Sequence, residues 1–107
     1  MVHIIRGTTP TITVKIKNED IDLANVAQFW LYIYQTLQIK IDKTITDAVI
    51  DAEEKTVTFR LSQQNTLALS KGQGIIQIRL LMDDDSALAT YSENIEVDEV
   101  YKGGVIS

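Results

Sequence analysis

The sequence predicts an all-β, immunoglobulin-like antiparallel β-sandwich of about seven strands with one short helical crossover, on the strength of three observations. Apolar and polar residues alternate with a period of two along most of the chain, the pattern of strands with one face on a core and one in water. Clusters of Asp, Asn, Gly and Ser interrupt that alternation at short intervals, as turns do. Only residues 62–69 leave the rhythm for something helical.

The first element to show the alternation is Thr11-Ile12-Thr13-Val14-Lys15-Ile16-Lys17, rich in the β-branched residues that favour extended backbone. Pro10 precedes it, where a missing N–H does least harm to a sheet. Asn18-Glu19-Asp20 reads as a turn, and residues 22–27 as a connection holding a short helical turn. Residues 29–35 form the next strand. They join a hairpin partner, residues 37–45, whose apolar side chains fall at odd positions. Val49-Ile50 is a short strand, Asp51-Ala52-Glu53-Glu54 a polar turn, and residues 55–61 a strand with Val57, Phe59 and Leu61 on one side.

Ser62 then offers an N-cap, and residues 62–66 are expected to turn over the end of the sandwich. In this reading Leu67 plugs the gap between the sheets and Leu69 begins the approach to a turn at Gly72. Residues 76–82 resume the strand pattern, Asp83-Asp84-Asp85-Ser86 turns, and residues 87–97 return as one strand. The segment 100–107, with Gly103-Gly104, is left to fray or to add a short edge strand.

A chain of 107 residues fits one domain, 1–107. A domain of this size buries roughly two thirds of the surface its unfolded chain would expose, so it needs no metal or disulfide to fold. Cysteine is absent, which removes disulfides, thiolate zinc sites and a cysteine nucleophile and suits a reducing compartment. The apolar run at 29–34 falls far short of the roughly 20 residues of a membrane helix. Met1-Val2-His3-Ile4-Ile5-Arg6 lacks the charged start and apolar middle of a leader. A soluble protein folding in a reducing cytoplasm, without a membrane partner, is therefore expected. The net charge is −5, and residues 83–101 carry Asp83, Asp84, Asp85, Glu93, Glu96, Asp98 and Glu99 with no Lys or Arg among them. Such a surface argues against nucleic acid, whose binding rests on clustered cations.

Three stretches carry a family likeness: Arg6-Gly7-Thr8-Thr9-Pro10-Thr11-Ile12, Asp22-Leu23-Ala24-Asn25-Val26-Ala27-Gln28-Phe29-Trp30, and Leu61-Ser62-Gln63-Gln64-Asn65-Thr66-Leu67-Ala68-Leu69. Together they resemble small bacteriophage and prophage structural proteins, in particular the immunoglobulin-like N-terminal domain of phage baseplate upper proteins. The resemblance implies a tail or baseplate building block with no catalytic residues to carry over, assembling with other tail proteins and residing in the virion tail. Those proteins continue into further modules, whereas this sequence stops at Ser107, so a role in receptor binding is less expected.

Reaction centres are hard to build from these residues. His3 is the only histidine and has neither a second soft ligand nor a triad partner, so it reads as an ordinary N-terminal strand residue. The Asp83–Asp85 run lacks the spaced carboxylates and distal Glu of a calcium loop and reads as a solvated turn. Ser62 and Ser92 sit in no nucleophile elbow, and the adjacent Glu53 and Glu54 would face opposite ways on a strand. Gly72-Gln73-Gly74 lacks the Lys-Ser/Thr of a phosphate loop and reads as a turn. No enzyme activity, cofactor or metal is expected.

The informative feature is the strand at 29–35. Phe29, Leu31 and Ile33 share one face and Trp30, Tyr32 and Tyr34 the other, so both faces are large and apolar or aromatic. Either the aromatic row is core, as with the buried Trp of immunoglobulin domains, or it is left over for a partner, since Trp and Tyr anchor interfaces. If a face is left over, an oligomer is expected, most simply a two-fold dimer. The alternative to assembly is a small carbohydrate-binding module in which Trp30, Tyr32 and Tyr34 stack on a glycan.

Overall fold

The computed structural model describes residues 2–101 and 104–106. Among them lie nine strands: β1 (Val2–Ile5), β2 (Thr11–Lys15), β3 (Val26–Gln35), β4 (Gln38–Ile45), β5 (Val49–Asp51), β6 (Thr56–Arg60), β7 (Gly72–Met82), β8 (Ala87–Ala89) and β9 (Glu93–Asp98). A 3-10 turn at Leu23–Asn25 and the helix α1 (Gln63–Leu67) complete the elements. The larger sheet runs β1-β9-β7-β3-β4 with β8 also beside β7, and the smaller runs β2-β6-β5. Their inner faces share one apolar core: Leu31, Ile33, Ile78, Leu80, Ile95 and Val97 from the larger sheet meet Ile12, Val14, Val57 and Phe59 from the smaller. The molecule is a β-sandwich of the immunoglobulin-like kind.

Several sequence expectations need correction. The strands number nine rather than about seven, partly because β1 is a strand of its own and partly because the expected strand at 87–97 is broken at Thr90. At the break the Thr90 hydroxyl accepts from the Ile78 amide at 3.1 Å while the Thr90 amide donates to the Ile78 carbonyl at 2.9 Å. A side chain thus stands in for a missing backbone acceptor, which lets β8 and β9 share one side of β7 without leaving a buried N–H unpaired. The sandwich is also not wholly antiparallel, since β1 pairs in parallel with β9, Val2 opposite Ile95 and Ile5 opposite Asp98. Nearly the whole domain separates these strands, so the long connection that parallel pairing demands is already present.

Gly72 and Gly74 belong to β7 and not to a turn. A side chain at Gly74 would sit 2.8 Å from the Tyr34 carbonyl oxygen and 2.7 Å from Gln35 Cγ, so the bare backbone is what allows β3 and β7 to close here. Gln35, buried beside it, accepts from the Ser70 amide at 2.8 Å and donates to the Ser70 carbonyl at 2.7 Å, which satisfies its amide group.

The β3–β4 hairpin also departs from simple alternation. Ile33 pairs with Ile41, but the next pair is Tyr34 with Ile39, so Lys40 is an extra residue in β4. This β-bulge turns Ile39 onto the face of Tyr34, away from Ile41 and Ile45, although all three were expected on one side. The two-residue connection has positive φ at both Thr36 (48°) and Leu37 (65°), the I′ pattern that matches strand twist. Neither residue is the Asn or Gly that such a turn favours, and a β-branched residue at positive φ is strained.

The segment at 62–69 keeps its cap and changes its plug. Ser62 Oγ accepts from the Asn65 amide while Asn65 Oδ1 accepts from the Ser62 amide, both at 3.0 Å, a reciprocal capping box. The fully buried leucine is Leu69, whereas Leu67 is only half-buried. Arg6 explains the arrangement: its Nε donates to the Leu69 carbonyl at 2.7 Å, Nη2 to the Leu67 carbonyl at 3.0 Å, and Nη1 to the Glu99 carboxylate. The Leu67 carbonyl is one that a helix C-terminus leaves without a partner, and Leu69 lies just past the C-cap Ala68. The Thr66 hydroxyl donates to the Thr8 carbonyl at 2.8 Å and the Leu61 amide to the Pro10 carbonyl at 3.0 Å. Two of the three family-like stretches, 6–12 and 61–69, are thus one structural joint.

The expectation on Gly103 falls outside the described residues. Among the described ones, 104–106 form no strand, and Ile106 exchanges a pair of hydrogen bonds with the Gln63 side chain, 2.8 and 2.9 Å long.

Candidate functional site

The choice between the two faces of β3 is decided by the second sheet. Phe29, Leu31 and Ile33 are buried against the inward residues of β2 and β6, and Trp30, Tyr32 and Tyr34 stand on the outer face of the larger sheet. The aromatic row is not the core. Trp30 and Tyr32 are half-buried among their neighbours on the sheet, and Tyr34 is exposed.

Register assembles the rest of the face. On β7, Ile75 lies opposite Tyr34, Gln77 opposite Tyr32 and Arg79 opposite Trp30. On β4, Ile39 lies opposite Tyr34, Asp42 opposite Tyr32 and Thr44 opposite Trp30. Ile39 (54% exposed) and Ile75 (38%) flank Tyr34, and Leu37 at the hairpin tip extends the apolar patch to the end of the molecule at 88% exposure. A depression of about 500 Å³ opens here, lined by Tyr32, Tyr34, Ile39, Ile75, Gln77, Arg79 and Ser92. A smaller one of about 160 Å³, between Trp30, Tyr32, Leu81 and Ala87, lies on the other side of Arg79.

Gln77 and Arg79 bring donors to this face. Gln77 Nε2 donates to the Thr90 carbonyl at 2.8 Å, which holds that side chain down on the sheet. Arg79 is exposed and, among the described residues, has no ion-pair partner. Arg79, Ile75, Ile39 and Gln77 were not singled out in the sequence, and Ser92 was weighed there only as a nucleophile. The only available signal was the alternation that places Ile75, Gln77 and Arg79 opposite in phase to Ile76, Ile78 and Leu80.

The other residues weighed in the sequence sit elsewhere and serve turns or solvent. His3 is exposed on β1 opposite Glu96. Asp84 accepts from the Ser86 hydroxyl and amide, and these two hydrogen bonds, the hydroxyl's first, hold its carboxyl below the usual value. Asp22 caps the 3-10 turn, accepting from the Ala24 amide at 3.0 Å. Asp51 accepts from the Glu54 amide at 3.0 Å in its own turn. Glu99 is held below the ordinary carboxylate range by the hydrogen bond from Arg6, with the Val100 amide adding to it. Among the described residues no group of three or more His, Asp or Glu side chains is placed to hold a metal ion, and no helix is long and apolar enough to cross a membrane.

Fold and face together define an immunoglobulin-like β-sandwich domain with an uncovered aromatic sheet face. No protein-family model matches the chain, and no curated protein matches it. Among solved structures it is similar to CopC from Methylosinus trichosporium OB3b, with 13% identity over 96% of this chain and 89% of that one and a TM-score of 0.49. It is also similar to extracellular domains 3–5 of Drosophila OTK, with 13% identity over 94% of this chain and a TM-score of 0.32; the match spans 32% of the OTK chain. The likeness concerns the fold alone.

Proposed function

We propose that this chain is a non-catalytic structural domain of the phage or prophage tail and baseplate kind, and that it works by assembling with protein, including copies of itself, through the outer face of β3, β4 and β7. The observation that carries the reading is the exposed continuity of Tyr34, Leu37, Ile39 and Ile75 beside Trp30 and Tyr32. Contiguous apolar surface of this kind on a small domain marks a contact with another macromolecule. The motif resemblance supplies the phage setting.

A glycan is the second reading, and Tyr32 and Tyr34 beside Gln77, Arg79 and Ser92 favour it, since aromatic faces with polar neighbours suit a sugar. The bare isoleucines weigh the other way. Ile39 and Ile75 form the walls of the depression and offer a sugar hydroxyl no partner, whereas they suit the apolar side chains of a protein.

Light scattering across a dilution series tests the reading, with association expected to grow with concentration. Replacing Trp30 and Tyr32 together by Ala is expected to abolish that growth and leave the circular dichroism spectrum of the fold. A 12 kDa monomer at every concentration contradicts self-assembly, and collapse of the fold in the double variant contradicts the placing of the row outside the core.

A further inference from the structure

Arg79 gives the depression a chemical preference. The protein carries 15 acidic residues and a net charge of −5, yet among the described residues no carboxylate lines this depression and its one charged group is a guanidinium. Asp42 on β4 and Glu96 on β9, acids of the same face, lie outside the lining. Arg79 sits opposite the ring of Trp30, and apolar surface adjoins it on both sides. A guanidinium that is exposed, free of an ion pair and set among apolar walls is built to receive a carboxylate joined to an apolar body.

The chain displays such a group elsewhere. The three residues between β4 and β5 carry the exposed Asp47, which makes no hydrogen bond among the described residues, and β5 follows with Val49, 69% exposed. This corner projects where the chain crosses from the edge of the larger sheet to the edge of the smaller one. It cannot reach the depression of its own molecule: Ile39, on the depression wall, and Ile45, beside the corner, stand at opposite ends of β4, about 20 Å apart at a strand's rise per residue. A second copy's corner is free to do so. The depression is concave and cationic, and the corner is exposed and anionic with an apolar side chain beside its charge.

We propose that the Arg79 depression receives the Asp47–Val49 corner of a second copy of this chain, with Arg79 binding the Asp47 carboxylate and Val49 packing between Tyr34, Ile39 and Ile75. This deepens the assembly reading and rests on it. Two copies make this contact either twice about a two-fold axis, each corner in the other's depression, or once, head-to-tail. Made once, it leaves the pair with one depression and one corner unused, so assembly continues past the dimer or closes as a ring. The overall like charge of the copies is screened beyond about 8 Å at physiological salt, whereas the ion pair itself acts at contact.

Sedimentation velocity on the full chain at several concentrations tests this with three samples: the wild type, Arg79→Glu and Asp47→Lys, each checked for folding by circular dichroism. The wild type is expected to associate increasingly as concentration rises. Each variant is expected to associate at least about tenfold more weakly, as loss of a charge-assisted pair implies. An equimolar mixture of the two is expected to recover association, since the intact Arg79 of one meets the intact Asp47 of the other. Association that is indifferent to Asp47→Lys but lost in Trp30→Ala/Tyr32→Ala overturns this contact and leaves the assembly reading standing. A mixture that fails to recover also overturns it. Absence of any self-association, with glucuronate shifting the resonances of Tyr32 and Tyr34, overturns both and assigns the depression to a sugar.

Discussion

The outer faces of the two sheets share a pleated geometry and differ in what they ask of their surroundings. The smaller sheet turns Thr11, Thr13, Lys15, Thr56, Thr58 and Arg60 outward, and the Thr13 and Thr58 hydroxyls meet across the strands at 2.9 Å. Apart from Val49 at its β5 edge, such a face is satisfied by water and by itself. The larger sheet turns Trp30, Tyr32, Tyr34, Ile39 and Ile75 outward, and their burial is unfinished in the monomer. The contrast shows that alternation tells where a face is, whereas the chemistry of the outward residues tells whether the face is complete.

The strongest way to break the comparison is to exchange inside for outside on β3. Leu31→Ala, at a site with no exposure, is expected to cost about 2–5 kcal/mol in urea unfolding. Trp30→Ala, one residue away, is expected to cost clearly less in the dilute monomer. Equal losses would mean that the outer row is as much a part of the core as the inner one.

The hairpin tip offers a sharper and smaller test. Replacing Thr36 by Asn and Leu37 by Gly supplies the residues that positive φ favours, and a gain of about 1 kcal/mol is expected in thermal or urea unfolding. If Leu37 serves the apolar face, the same variant is expected to associate more weakly, so stability and assembly would move in opposite directions. A destabilised variant would show that the present turn is not under strain.

On the complete face, Thr13→Ala removes one hydroxyl pair and is expected to cost less than about 1 kcal/mol, with no change in association. The smallest effect is electrostatic. Glu99, whose carboxyl is depressed by Arg6 and the Val100 amide, contributes stability above its unfolded value, and that contribution fades as pH falls through the depressed one. Unfolding curves of the wild type and Glu99→Gln are therefore expected to differ slightly at neutral pH and to converge in acid.

The local elements were legible because their causes are local. The alternation at 11–17 and 55–61, the Ser62 cap and the polar turns each depend on neighbouring residues, and they appear close to where the sequence put them. What the sequence left open depends on partners distant in the chain. The parallel pairing of β1 with β9 joins the two ends of the sandwich. The Lys40 bulge is a matter of register with β3 and sends Ile39 to the face opposite the one alternation assigned. Two apolar faces on β3 could not be ranked until the inward residues of β2 and β6 had claimed one of them. Arg79 became part of a site only once it lay across from Trp30.

The protein has a single tryptophan, and it stands on the face in question. Iodide quenching of Trp30 fluorescence, measured over a wide range of protein concentration, therefore reports directly on whether the row becomes covered. Quenching that falls as concentration rises is the predicted result, and quenching that is the same at every concentration would contradict the claim that this face is where the protein assembles.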